Sequence, residues 1–309
     1  MNDKTMYNTH LNKLDSIILL ANPNTYRGKS FARAAERLGI NVLWAIDIPE
    51  KLASEWNMSL SVDFGNHDES VKTIVNLADE KQIVSVLAID DSATLIAAEV
   101  CSLLGLPHNS PTTAMAARDK LVMRQSLQAG GVLCPHFMSF HHNEDPEDIS
   151  THIGYPCILK PLLLNGSRGV IRANNPTEFN TAWRRVCNII NKVVGTRIMV
   201  EDYIPGKEVA VEALVSDTDI NILAIFDKPD PLEGPFFEET IYVTPSRLSQ
   251  KDQLEVRSTL MSSAKALGLR FGPIHAEFRI NEQGVWPIEI AGRTIGGLCS
   301  NILSFGECF

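Results

Sequence analysis

The chain has 309 residues, with 28 Lys and Arg against 37 Asp and Glu for a formal net charge of −9, and no run of five basic residues, which argues against nucleic acid as a main partner. Its longest apolar runs, SIILLA and SVLAI, fall far short of the roughly 20 residues that cross a bilayer, and MNDKTMYNTHLNKLD has no apolar signal core, so a cytoplasmic protein without membrane contact is expected. The cysteines Cys101, Cys134, Cys157, Cys187, Cys299 and Cys308 are scattered without a CxxC pair, which reads as reduced thiols rather than disulfides or zinc ligands.

The length suits two or three lobes with an active site between them. SIILLAN, GKSFARAAERLGI, NVLWAID, IVSVLAID and SATLIAAEVCSLLGL alternate strand and helix, so residues 1–110 read as a Rossmann-like lobe. The first strand runs into NPNTYRGKS and not GxGxxG, which leaves dinucleotide binding unsupported. From residue 111 the spacing of Met115, Leu121, Val122 and Leu127 predicts a helix with Lys120 near its middle, stopped by Gly130-Gly131. HFMSF, YPCILKPLLL and GVIRAN read as strands, and NPTEFNTAWRRVCNII as a helix with Asn175 to cap it, Pro176 in its first turn and Glu178 at the positive end of its dipole. RIMVEDYI, KEVAVEALVS and NILAIFDK predict a meander over 201–228. A proline-rich loop, DKPDPLEGPFFEETIYVTPS, follows, then a helix about QLEVRSTLMSSAKALGL and the hairpin GPIHAEFRI-NEQG-VWPIEIAGR. The closing IGGLCSNILSFGECF reads as a helix just begun, and a further C-terminal segment is expected beyond it.

Candidate chemistry sits on three features. Antiparallel pairing of the hairpin about Gln283 puts Glu277 opposite Glu289, a like-charge pair that costs up to about 1 kcal/mol. A divalent cation with oxygen ligands removes that cost, and an exposed face on which Arg279 and Arg293 neutralise the acids is the alternative. Lys160 ends an apolar run beside Gly166, Ser167, Arg168 and Gly169, which fit either a phosphate-binding loop or a plain β-turn. Taken singly, Lys120, Glu201 and Glu208 are equally well read as ordinary surface charges.

In order, ARDKLVMRQSLQAGGVLCP, YPCILKPLLLNGSRGV, IMVEDYIPGKEVAVE, GPIHAEFRI and WPIEIAGRTIGGL resemble the ATP-grasp superfamily, in its branch of L-amino-acid ligases and related carboxylate-amine ligases. The resemblance implies an α/β (α+β) ATP-grasp fold, with an N-terminal Rossmann-like domain (1–110) and an ATP-grasp domain (111–309). The latter divides into a lid subdomain at about 135–200 and a catalytic subdomain at about 201–309. Lys120 and Lys160 then look like the phosphate-binding lysines, and Gly166 to Gly169 like the mobile loop over the phosphates. Glu201 and the backbone of Asp202, Tyr203 and Ile204 look like the adenine-reading hinge, and Glu208 resembles the ribose-binding acid. Glu277 and Glu289 match the Mg²⁺ ligands, and Arg293 the arginine that steadies the transferred phosphoryl group. Many relatives have Asn two residues after the second glutamate, where this chain has Ala291.

The implied activity is an ATP- and Mg²⁺-dependent ligation, with Mn²⁺ an acceptable substitute. It joins a small-molecule carboxylate to an amine through an acyl-phosphate, in a protein that could be a homodimer. Catalysis would rest on Lys160, Arg293 and His275, the last orienting the acyl-phosphate or taking the amine proton. The loop of Phe236, Phe237, Glu238 and Glu239 is the candidate for substrate selection. Two alternatives stay open, a carboxylase or carbamoyl-phosphate-synthase-like enzyme, and an ATP-binding protein without turnover.

Overall fold

The computed structural model describes residues 15–56, 58–79, 81–190, 197–217 and 219–303. The chain divides into two compact units, Met1–Ala114 and Met115–Phe309.

In the first unit, β1 (Ser16–Ala21), β2 (Asn41–Asp47), β3 (Leu60–Val62) and β4 (Ile83–Ala88) form a parallel sheet in the order β3-β2-β1-β4. Helices α1 (Gly28–Leu38), α2 (Glu50–Glu55), α3 (His67–Asp79) and α4 (Thr94–Leu103) alternate with the strands. β1 is buried almost throughout because it is covered on both faces, with Ile18 and Leu20 in one apolar cluster and Leu19 and Ala21 in another. The βαβ alternation expected from the sequence is present. NPNTYRGKS folds against Asp90 after β4, whose carboxylate accepts from the Asn22 amide at 3.0 Å and the Thr25 hydroxyl at 3.0 Å.

α5 (Pro111–Ala116) closes the first unit and opens the second. The single helix expected here is broken: Asp119 caps a new helix, α6 (Lys120–Ala129), accepting from the Leu121 and Val122 amides at 2.8 and 3.2 Å. Lys120 is therefore the first residue of its helix and not a mid-helix lysine, and it is buried.

Two antiparallel four-stranded sheets make up the rest. β5 (Phe137–His141), β6 (Cys157–Pro161), β7 (Ile171–Ala173) and β8 (Arg197–Asp202) pair in the order β5-β8-β6-β7. α7 (Pro146–His152) and α8 (Pro176–Ile190) pack with them. α8 begins as the sequence predicts, with the Glu178 amide donating to Asn175 Oδ1 at 3.0 Å. Its Phe179, Ala182, Trp183, Val186 and Ile190 recur at helical spacing and bury one stripe against Leu159, Ile171 and Val200.

The second sheet holds β9 (Lys207–Ser216), β10 (Asp219–Lys228), β11 (Phe271–Asn281) and β12 (Gly284–Ala291) in the order β10-β9-β11-β12. The meander expected over 201–228 is overturned here, because β8 pairs with β5 and β6 and only β9 and β10 form a hairpin. α9 (Gln250–Leu267), capped by Ser249, buries Val256, Leu260 and Leu267 against one face, leaving the other for charged residues. The described chain ends in a short 3₁₀ turn, Cys299–Ile302. Five cysteines are free thiols, and Cys308 lies outside the described residues. No described helix is long and apolar enough to cross a membrane.

Candidate active site

The predicted pairing of Glu277 with Glu289 is present, but the register shifts immediately afterwards, so that Phe278 faces Pro287. Ile288 is the extra residue, a β-bulge of the kind that re-aims side chains and frees backbone groups. The carbonyls of Pro287 and Ile288 accept from the Arg124 guanidinium at 3.1 and 2.8 Å.

Arg124, only 1% exposed, lies four residues after Lys120 on α6. It also grips Glu201 of β8 with two bonds, 2.8 Å from Nε and 3.3 Å from Nη2, and Lys160 of β6 bonds the same carboxylate. Burial by itself would raise the Glu201 carboxyl, yet the two cations hold it down at about 2. Burial lowers the Lys160 ammonium against the pull of Glu201. Lys120 donates to the Leu164 carbonyl at 2.6 Å and stands 3.5 Å from Glu289. Lys120, Lys160 and Glu201 thus line one end of the cleft, with Arg124 buried behind them.

The other end is acidic. Lys228, at the end of β10, bonds Glu208 at 2.8 Å, Glu239 at 2.9 Å and Glu277 at 2.7 Å. Burial opposes the Lys228 charge, but the three acids raise its pKa. Burial likewise works against Glu277, which Lys228 and His275 hold well below the usual carboxylate range. Burial prevails at Glu239, which is raised despite Lys228. His275 lies 2.6 Å from Glu212 through Nδ1 and 3.6 Å from Glu277 through Nε2. Although burial disfavours its charge, those acids raise its pKa to about 9. At neutral pH the imidazole is therefore protonated.

Of the two arginines expected in the alternative to neutralise the paired glutamates, Arg279 is engaged elsewhere. Arg279 bonds Glu208 at 2.8 Å and the carbonyl of Ile204 at 2.8 Å, while Glu277 is met by Lys228 and His275. Arg293 is buried and donates to the Thr294 carbonyl at 2.9 Å, next to Ile295, whose amide reaches Glu212 at 2.8 Å. In the hinge, the amides of Asp202 and Tyr203 already donate to His136 and Pro156 at 3.0 and 3.1 Å. The GSRG loop is a tight turn with Gly166, Ser167 and Gly169 at positive φ. It reaches the cleft through Ser167, beside Lys120 and Lys160. The selection loop divides: Phe237 lines the cleft and lies under Arg279, whereas Phe236 stacks beneath Arg185 in a separate groove.

Sequence reasoning missed Arg124, Glu212 and Lys228. Spacing held a clue for the first, which is one helical turn past Lys120, and for the second, which is two positions beyond Ala210 on the face that carries Glu208. Lys228 gave only the weak signal of a charge closing an apolar strand.

The cleft of the second unit lies between its two antiparallel sheets, with Lys160 and Glu201 from one and Glu208, Glu277 and Glu289 from the other. Residues 153–302 match the ATP-grasp domain family. It is 26% identical over 294 residues to the uncharacterized protein y4rH of Sinorhizobium fredii, covering 91% of this chain and 58% of the relative. It is 25% identical over 251 residues to the alanine–anticapsin ligase of Bacillus subtilis, covering 74% of this chain and 52% of that one. The chain thus spans little more than half the length of these curated relatives. In three dimensions it resembles the L-amino acid ligase from Bacillus licheniformis, with a TM-score of 0.74, 26% identity and coverage of 93% of this chain and 68% of the other.

Proposed function

We propose that the protein is an ATP- and Mg²⁺-dependent carboxylate-amine ligase acting on amino-acid-like substrates in the cytoplasm. The observation that carries this reading is the opposed charge of the two cleft ends. Lys120 and Lys160 suit the phosphates, Ile158, Ile204 and Ile288 offer apolar walls for a flat base, and Glu277 and Glu289 suit a divalent ion. The donor set fits Mg²⁺, because it consists of carboxylate oxygens on neighbouring strands and Lys228 and His275 meet Glu277 at Oε1, leaving its second oxygen. When bound, the ion would neutralise charge on the β- and γ-phosphates.

A substrate carboxylate oxygen attacks the γ-phosphorus of ATP and the anhydride bond to the β-phosphate breaks, giving ADP and an acyl-phosphate. An amine nitrogen then attacks the acyl carbon, phosphate leaves and the nitrogen loses a proton. Lys160, fixed by Glu201, and Arg293 offset charge on the phosphoryl group in flight, and the His275 imidazolium orients the acyl-phosphate. Gly166 to Gly169 cover the phosphates, the Ile204 amide supplies the donor that the hinge needs for the base, and Glu208 takes the ribose. Phe237 and Glu239 bound the space for the acid or amine.

The test is phosphate release from ATP by the 309-residue chain over a panel of amino-acid pairs, with product masses measured. Release that requires two substrates, together with a product lighter than their sum by one water, supports the ligase. Nucleotide binding with no release for any pair overturns it in favour of a binding protein.

A further inference from the structure

Lys228 has no part in that mechanism, yet it occupies a demanding position. It pairs in register with Glu208 on the neighbouring strand, which turns it to the charged face of the sheet. Its side chain is 0% exposed. The ammonium has three N–H groups, and three carboxylates take them: Glu208 from β9, Glu277 from β11 and Glu239 from the loop after β10, all within 2.9 Å. Those three residues are also the group of described side chains close enough to share a metal ion, with ligand oxygens within 4.8 Å of one another. An ammonium thus does here what a divalent ion does elsewhere, which is to hold three acids from separate elements at one point.

The oxygens that Lys228 takes are in part shared with other cations of the chain. Glu208 is shared with Arg279. Glu277 Oε1 is shared with His275. Ala291, the residue in register with His275, has no side-chain oxygen. Phosphoryl-transfer sites commonly use two divalent ions. At this one, the position between Glu277 and its neighbours on β9 and the loop is already filled by a cation that belongs to the chain.

We infer that Lys228 is a tethered cation standing in for one divalent ion, so that the cleft takes a single ion, held by Glu277 and Glu289. The inference rests on the ATP-grasp ligase reading above, and its test separates the two. Mn²⁺ is titrated into the 309-residue chain with ADP present, and free Mn²⁺ is read by electron paramagnetic resonance. One bound ion per wild-type chain and per Lys228→Arg chain is expected, rising to two in Lys228→Met. Two ions in the wild type, or an unchanged count in a folded Lys228→Met, overturns the inference and leaves the ligase reading intact. No bound ion in the wild type removes the metal assignment itself, and the inference with it. Lys228→Met leaves three carboxylates facing one another, so its melting temperature is followed as well. Mn²⁺ should raise it by several degrees more than it raises that of the wild type, and an equal rise in both counts against the inference.

Discussion

The two ends of the cleft solve the problem of buried charge in opposite ways. Around Glu201, two cations share one carboxylate, whereas around Lys228 three carboxylates share one ammonium. Neither arrangement is neutral by itself. The first is left with surplus positive charge, and the second, where Glu208, Glu212, Glu239 and Glu277 meet Lys228, Arg279 and the His275 imidazolium, with surplus negative charge. Buried ion pairs seldom add net stability over well-packed apolar residues, because desolvation cancels the attraction. The proposed function would account for their retention, since a guest anionic at one end and cationic at the other would complete both. A nucleotide with its metal ion has that polarity.

The largest effect should come from breaking the first arrangement at its hub. Arg124→Met removes the double bond to Glu201 and the donors to the bulge carbonyls at 287 and 288. Losing one partner of a buried charge pair costs about 3–5 kcal/mol, and urea unfolding of the variant should show a loss in that range. A loss below about 1 kcal/mol would mean that Glu201 is held by Lys160 alone, and the comparison drawn above would fail.

A smaller effect tests the second arrangement through pH. His275 has its folded pKa raised to about 9 from 6.5. A raised folded value contributes stability that is fully present below the unfolded pKa and is lost as pH rises through the folded one. The contribution, on the order of 3 kcal/mol at most by the usual conversion of pKa shift to free energy, should therefore fade between about pH 6.5 and 9. His275→Gln should flatten the pH profile of unfolding over that window, and an imidazole that titrates near 6.5 by NMR would falsify the assignment.

These arrangements also mark how far the sequence could be read. Hydrophobic period 2 and the cap at Asn175 are local properties, so strands, helices and the facing of Glu277 and Glu289 were legible from spacing. The bulge at Ile288 was not, since nothing in VWPIEIAG distinguishes a regular hairpin from one with an extra residue. Nor was the parting of β8 from β9, because the short YIPG between them reads as a turn within one meander while the strands join different sheets. Ion partners failed for the same reason. Arg279 lies next to Glu277 in sequence logic but bonds Glu208 across the ladder, and the pairing of Lys228 with Glu239 depends on how a proline-rich loop folds back.

The smallest effect concerns the turn between the lysine-bearing strand β6 and β7. Gly166 and Gly169 both have positive φ, 60° and 80°. An alanine at either position must adopt a left-handed conformation, which costs about 1–2 kcal/mol. Their surroundings differ. A Cβ at Gly166 meets nothing within 4 Å, whereas one at Gly169 would stand 2.8 Å from Cγ of Pro161, a ring that cannot swing aside. Gly166→Ala should therefore show the backbone cost alone, and Gly169→Ala a greater loss of stability, because the added methyl pushes on the residue next to Lys160. If the two variants unfold at the same denaturant concentration, the loop is not packed on β6 in solution. Ser167 would then reach the cleft from a turn that the lysine-bearing strand does not fix.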